Sequence, residues 1–280
     1  MDLVSSLLLF IATGAVVGIL AGLIGIGGGL VIVPILAFWF RSGGMPLPVA
    51  LPLATGTSLA AVAGTCALAA LAHRRGGTLD FSVMRPLVVP VMIGAFVGPW
   101  LATLAPIVLV QYGLVVLYVL VGLSLATRAR AGPATPTAAA WFVALPIPAR
   151  TLCAAGMSAT VAAIAGIAGI GGNTLMIPLL ARVVGVQFRQ AMGVASALAV
   201  PLCLIGSLSY AAQNHGVASG NVMPGIVGSI YVPGFVGLAV GSALTVRTGI
   251  ALGKKITTPM LERVFAGVLL VAALKLALTS

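Results

Sequence analysis

Ten apolar runs, separated by short polar or Gly/Pro-rich segments, constrain the fold of this chain more than any other feature. A backbone in lipid must satisfy its own hydrogen bonds, which leaves only α-helices and closed β-barrels. Barrel strands alternate polar and apolar residues, and these runs do not, so we expect helices. The runs are residues 3–24, 29–40, 49–72, 83–104, 107–126, 151–168, 174–185, 190–212, 222–245 and 261–279.

The composition agrees with a membrane protein and excludes a large soluble domain. Hydrophobic residues make up 61% of the chain and charged residues 6%, with a mean hydropathy of +1.24, whereas soluble domains carry roughly 25% charged residues. The net charge of +11 comes from 14 basic residues scattered singly or in pairs between apolar runs. This scatter is typical of loops that orient a membrane protein, not of a basic face that binds nucleic acid.

Two of the runs are too short to cross a membrane. Residues 29–40 and 174–185 would each form about 18 Å of helix, against a hydrocarbon core of about 30 Å. Each run follows a cluster of glycines, so we expect each to be half of a broken or re-entrant hairpin.

The sequence repeats itself across a Pro- and Ala-rich linker. AGLIGIGGGLVIVPIL (21–36) aligns without gaps with AGIAGIGGNTLMIPLL (165–180), and eight of the sixteen positions are identical. Weaker matches follow in the same order, including a GxxxG pair and two cysteines, Cys66 and Cys203. We therefore predict a first membrane repeat over 1–127, a cytoplasmic linker over 128–149 and a second membrane repeat over 150–280.

The basic residues predict that the second repeat is inverted relative to the first. With the N-terminus outside, twelve of the fourteen cations face the cytoplasm and only Arg41 and Lys275 face outward, as the positive-inside rule requires. The expected fold is an all-α polytopic protein of the inner membrane. It has two inverted repeats, each with a broken or re-entrant hairpin plus three transmembrane helices, giving eight to ten membrane elements. The inward cations are Arg74, Arg75, Arg85, Arg128, Arg130, Arg150, Arg182, Arg189, Arg247, Lys254, Lys255 and Arg263.

The two glycine clusters predict a binding site for a small anion near the middle of the membrane. A helix that begins at a break directs unpaired N–H groups and a partial positive charge towards the break, and such an end binds anions. Asn173 and Thr174 replace Gly29 and Leu30 of the first repeat, which makes them candidates for side-chain recognition. Close helix packing is the alternative use of these glycines. The candidate substrate-binding residues are Gly27, Gly28, Gly29, Thr57, Ser58, Gly171, Gly172, Asn173, Thr174 and Ser196.

The remaining chemistry of the chain argues against an enzyme. The three acidic residues, Asp2, Asp80 and Glu262, are expected near the membrane surfaces, and no catalytic set or metal-ligand spacing is present. We expect no cofactor and no bound metal. A channel, or a transporter of another small metabolite or a cation, stays open as an alternative because backbone carbonyl groups can also bind cations.

The GLIGIGGGLVIVPIL segment, its GIAGIGGNTLMIPLL partner and the ATGTS sequence at 54–58 resemble the sulfite exporter TauE/SafE family, over essentially the whole chain. The resemblance implies a membrane transporter of sulfite, sulfoacetate or a related sulfonate. The substrate, the driving force, the direction of transport and the formation of a homodimer are left open.

Overall fold

The computed structural model of the chain describes residues 3–24, 28–131, 139–213, 225–253 and 258–278. Gly27, one of the candidate site residues, lies outside these ranges. The helices of the first repeat are α1 (Leu3–Ile24), α2 (Gly29–Ser42), α3 (Leu47–Arg75), α4 (Phe81–Leu104) and α5 (Ile107–Ala131). The second part contains α6 (Ala140–Val143), α7 (Ile147–Ala168), α8 (Asn173–Leu179), a π-helical turn (Leu180–Val184), α9 (Phe188–Ala211), β1 (Ile226–Val227), β2 (Ile230–Tyr231), α10 (Val232–Gly253) and α11 (Thr258–Leu278).

The prediction of an all-α polytopic membrane fold is confirmed. Among the described helices, α3, α4, α5, α7 and α9 are long and apolar enough to cross a bilayer. The two short elements also stay short. Helix α2 has 14 residues, and α8 with its π-helical turn has 12 (residues 173–184), so each spans about 20 Å.

Two segments differ from the predicted helices and linker. Within the run 222–245, residues 226–231 form an antiparallel hairpin, and α10 starts only at Val232. Its two-residue turn has Gly228 at φ +56° in the first position, as in a type II′ hairpin turn. The linker 128–149 is partly helical, since α5 extends to Ala131, α6 lies within it and α7 starts at Ile147.

The acidic residue Asp80 has a structural function in the loop before α4. Its Oδ1 accepts hydrogen bonds from the Oγ of Ser82 (2.6 Å) and from the Ser82 amide (2.9 Å), so it caps the helix. These hydrogen bonds lower the pKa of the Asp80 carboxyl from its ordinary value. This cap gives the charged residue a structural role at the start of α4.

Helices α3 and α9 form the centre of the molecule. Buried residues make up 67% of the spanning window of α3 and 61% of that of α9, against 33% in α4, α5 and α7. The two helices pack against each other and occupy equivalent places in the two repeats. The remaining long helices therefore surround a central pair that contains one member from each repeat.

The main helix contacts are unchanged when the two repeats are exchanged. Helix α1 packs on α10 as its repeat partner α7 packs on α4, and α3 packs on α10 as α9 packs on α4. The exchange swaps α3 with α9 and α5 with α11, so the contacts α3–α9 and α5–α11 map onto themselves. The first helix of each repeat thus packs against the fourth helix of the other repeat, so the two repeats interlock.

Small residues allow these interlocking helices to approach closely. A Cβ atom on Gly98 of α4 would lie 2.9 Å from the carbonyl carbon of Ala163 on α7. A Cβ atom on Gly94 would likewise clash with the carbonyl group of Ala159. The equivalent glycines of α10, Gly237 and Gly241, meet the backbone of α1. Close backbone approach at small residues is how helices associate in lipid, where burial from water contributes little.

We expect Gly98→Ile to destabilise the protein by ~1–3 kcal/mol or more, because its branched side chain would have to displace the backbone of α7. The matched control is Gly113→Ile on α5, where an added Cβ meets no atom within 4 Å. Thermal unfolding of the detergent-purified variants measures the difference. Equal stability of the two variants would contradict the close α4–α7 contact.

Candidate functional site

The two glycine-rich breaks meet at the centre of the protein. A Cβ on Gly29, the first residue of α2, would lie 2.5 Å from the carbonyl oxygen of Gly169 and 2.8 Å from the Cα of Ile170. Gly169 and Ile170 belong to the break between α7 and α8. Only a residue without a side chain fits at position 29, so this contact joins the two repeats backbone to backbone.

The second break is built from three glycines in the left-handed region. Gly169, Gly171 and Gly172 have φ angles of +68°, +71° and +81°, which other residues rarely adopt. Helix α7 ends with the amide of Ile170 donating to the carbonyl of Ala165 (3.1 Å). Helix α8 then begins, and the Gly172 carbonyl accepts the first intrahelical hydrogen bonds. The chain therefore passes from the end of α7 to the start of α8 within four residues, and the N-terminus of α8 lies at the break.

The first break is described from Gly28 onwards. Gly28 precedes α2 with a φ of −73°, and its carbonyl accepts hydrogen bonds from the amides of Val31 (3.1 Å) and Ile32 (3.2 Å). Helix α2 thus starts at the point where Gly29 touches the second break. Both short helices begin at the contact between the two breaks.

Helix α3 contributes hydroxyl groups to this centre. The Oγ of Ser58 donates a hydrogen bond to the carbonyl of Gly169 (2.8 Å), which links α3 to the second break. Thr57, the neighbouring candidate, donates to the Leu53 carbonyl (2.6 Å) and accepts from the amide of Tyr231 (2.9 Å). The Thr57 hydroxyl therefore holds the hairpin before α10 against α3.

The hairpin is a part of this region that the sequence reasoning missed. Its Ser229 amide donates to the carbonyl of Tyr210 at the end of α9 (3.1 Å), and the Ser229 Oγ donates to the carbonyl of Gln213 (2.8 Å). Gly56 of α3 lies directly against the Ser229 carbonyl. Glycines at 225 and 228 among apolar residues were the available signal, but strands of two residues are too short for a periodicity to indicate them.

Asn173, the first residue of α8, has an unsatisfied polar atom in the protein interior. The residue is 3% exposed and its Oδ1 has no hydrogen-bond partner. A buried polar atom without a partner costs about 1–3 kcal/mol. An amide in this state, at a helix start beside a break, suits the binding of a polar ligand.

Two cysteines from equivalent places in the two repeats line the same break. A Cβ on Gly171 would lie 3.4 Å from the Sγ of Cys203 on α9 and 3.9 Å from the Sγ of Cys66 on α3. Both cysteines are buried free thiols. Their equal offset in the repeat is visible in the sequence, but their meeting at the break depends on the α3–α9 contact.

The other candidate residues lie at varying distances from the contact between the breaks. Gly172 packs against Leu202 of α9, and Thr174 is half-buried in the first turn of α8. Ser196 is 2% exposed but precedes Leu202 by six residues on α9, about 9 Å along the helix. The structure therefore brings Gly29, Ser58, Gly171, Gly172 and Asn173 to the two breaks and leaves Ser196 further along the α3–α9 pair.

The buried polar residues that the structure describes are all neutral. They are threonine, serine, asparagine and glutamine side chains, with no lysine, arginine, aspartate or glutamate. No group of three or more potential metal-ligating side chains occurs in the described ranges. A ligand in this interior would therefore contact helix ends, hydroxyl groups and an amide.

Comparisons with known proteins cover almost the whole chain. The family model of the sulfite exporter TauE/SafE matches residues 10–276. A probable membrane transporter protein from Haemophilus influenzae is 28% identical over 282 residues, which include 96% of this chain and 97% of that protein. No solved structure matches the chain significantly.

We expect Thr57→Val to destabilise the protein by about 1–3 kcal/mol, because it leaves the buried amide of Tyr231 without an acceptor. The matched control is Thr103→Val, since the exposed Thr103 hydroxyl only donates to a carbonyl of its own helix. Thermal unfolding of both purified variants is the measurement. If Thr57→Val is as stable as the control, the hairpin does not depend on this hydrogen bond.

Proposed function

Because the chain belongs to the sulfite exporter TauE/SafE family of membrane transporters, we propose that it carries a small anion bound between the two glycine-rich breaks. The substrate class that fits best is a sulfur-containing oxyanion or organosulfonate such as sulfite or sulfoacetate. The protein is a multi-pass membrane transporter and not an enzyme.

The observation that carries the proposal is the buried Asn173 at the start of α8, whose Oδ1 has no hydrogen-bond partner. An amide side chain supplies N–H donors to an anion, and its oxygen can accept a hydrogen bond from a protonated oxyanion such as hydrogen sulfite. A substrate that carries a proton at the second break would compensate the cost of the unsatisfied oxygen, and a fully ionised anion would bind through the N–H donors instead. Asn173 would then be the residue that distinguishes the second break from the first, where Gly29 stands in its place.

The neutrality of the interior favours a compact anion. Two helix starts each direct a partial positive charge of roughly half a unit towards the breaks, and no buried carboxylate that would repel an anion occurs among the described residues. A sulfite or sulfonate group presents three oxygen atoms within a small volume, so it can accept several N–H and O–H donors at once. A larger anion would require more separation between two breaks that lie in backbone contact.

The packing supports an inverted arrangement of the two repeats in the inner membrane. Helix contacts are preserved when the repeats are exchanged, and an odd number of crossings per repeat would turn the second repeat upside down. The charge distribution favours the N-terminus outside and the linker in the cytoplasm. Arg41 and Lys275, the two cations predicted outside, line one and the same groove, which agrees with a common side.

The contact between Gly29 and Gly169 also suggests how access is controlled. With the breaks in contact, a substrate can enter or leave only if the two repeats separate at this point. Rocking of one repeat against the other around a central site is a common mechanism in transporters with inverted repeats. We therefore propose that the contact between the breaks is the closed state of the transport cycle.

We expect Asn173→Leu to keep or raise the stability of the ligand-free protein and to abolish its stabilisation by the substrate. Leucine has a similar size and removes an unsatisfied polar atom, so folding does not lose a hydrogen bond at the side-chain oxygen. A bound ligand adds about 2.7 kcal/mol at a hundred times its Kd. The measurement is thermal unfolding of the purified protein against sulfite, sulfonates, carboxylates, phosphate and cations.

The control for this experiment is Thr160→Val, an exposed position on α7 whose hydroxyl only bonds its own helix. Stabilisation by one sulfur oxyanion or sulfonate in the wild type and in Thr160→Val, but not in Asn173→Leu, supports the site. Stabilisation by a cation or by a neutral metabolite alone would contradict the anion proposal and favour the alternative substrate classes.

We expect Gly28→Val and Gly172→Val to abolish transport while the protein still inserts into the membrane. Valine at position 172 would need a φ of +81° and a Cβ 2.7 Å from the Leu202 side chain. At position 28 its branched side chain would enter a buried segment directly before Gly29, where the two breaks are in contact. Uptake of labelled sulfite into proteoliposomes is the measurement, with Gly156→Val and Gly64→Val as controls because an added Cβ meets no atom at either position. Normal transport by both break variants would contradict the site.

A further inference from the structure

A groove between α2 and α11 lies outside the proposed transport site. It has a cavity volume of about 260 Å³ and is lined by Val31 to Arg41 on α2 and by Val268 to Leu276 on α11. Ile35 on one wall is 38% exposed and Val271 on the other is 59% exposed. In a bilayer both walls therefore face the lipid, so the groove is open to it.

Two cations stand together at one end of this groove. The Nζ of Lys275 lies 4.3 Å from the centre of the Phe38 ring, and Arg41 follows Phe38 by three residues on the same face of α2. The other residues that line the groove are all apolar. The groove is thus amphipathic, with a positively charged end and a hydrophobic length.

The position of these cations matches the edge of a membrane. Arg41 lies in the last turn of α2 and Lys275 in the last turn of α11. Long basic side chains near helix ends place their charge at the interface while their stems cover apolar surface. Arg41 and Lys275 are also the two basic residues predicted on the outer side, where cations are disfavoured. The groove therefore has its positive charge at the level of the lipid headgroups and its apolar length within the hydrocarbon core.

We propose that this groove binds an anionic phospholipid, with its phosphate group between Arg41 and Lys275 and one acyl chain along Ile35 and Val271. A guanidinium and an ammonium together suit a phosphate, and the apolar walls suit a hydrocarbon chain. A small soluble anion would contact the two cations but not the apolar walls of the groove. A symmetric contact with a second copy would bring like charges together at this end.

The experiment compares the binding of phosphatidylglycerol and of phosphatidylcholine with the same acyl chains to the delipidated, detergent-purified full chain. Native mass spectrometry counts the retained lipids, and thermal unfolding provides a second readout. We expect the wild type to bind phosphatidylglycerol about tenfold more tightly, since each cation near an anionic headgroup contributes severalfold in affinity. We expect Arg41→Gln/Lys275→Gln to lose this preference, and Val271→Trp to weaken the binding of both lipids by filling the groove.

The matched control is Arg85→Gln, which removes an exposed cation at the start of α4 that does not line the groove. Preference that persists in Arg85→Gln and is lost in the double variant supports the proposal. No preference in the wild type, or one that survives the double variant, would overturn it. Equal stabilisation by glycerol 3-phosphate would assign the cations to a soluble anion instead. A dimer that dissociates in the double variant would show that a second copy covers the groove, and would overturn the proposal too.

Discussion

The backbone contact between Gly29 and the Gly169–Ile170 segment is the constraint on which the rest of the structure depends. A Cβ atom on Gly29 would lie 2.5 Å from the Gly169 carbonyl oxygen, which is too close for any side chain. The two repeats can therefore meet here only through glycine. The same carbonyl accepts the hydroxyl of Ser58, which fixes the second break against α3. Because both short helices begin at this contact, any movement that separates the repeats also separates the two helix starts.

Hydrogen-bond satisfaction inside a membrane explains how the remaining polar residues are used. Most of the hydroxyl groups donate to carbonyls of their own helix, and Ser58, Thr57 and Ser229 connect separate elements around the centre. Among the described residues, the side chains of Asn173, Tyr118, Ser158 and Gln213 each have a buried polar atom without a hydrogen-bond partner. Asn173 is the one of these that lies at a break between helices, and this is why the proposed site is placed at the second break.

The two repeats are equivalent at their helix contacts but differ within the proposed binding site. The residues that keep the two repeats equivalent are small ones at helix contacts, such as Gly98 on α4 and Gly241 on α10, which pack against α7 and α1 in the same way. The proposed site includes glycines that are identical in the two repeats, such as Gly28 and Gly172, and one clear difference, Asn173 where the first repeat has Gly29. The helix contacts are therefore symmetric, whereas the second break has a polar side chain that the first break lacks.

The sequence by itself determined the helices, the two short elements, the duplication and the family resemblance, because hydropathy, helix length and glycine clusters are local properties of the chain. Asn173 could be singled out in the same way, from its mismatch with Gly29. Only the tertiary structure decided that the two breaks touch, that the Thr57 hydroxyl is bonded to the hairpin, that Cys66 and Cys203 meet at Gly171, and that Arg41 and Lys275 share a groove. These relations join residues more than a hundred positions apart, and they follow from how the central helices α3 and α9 and the short helices pack, which no local pattern specifies.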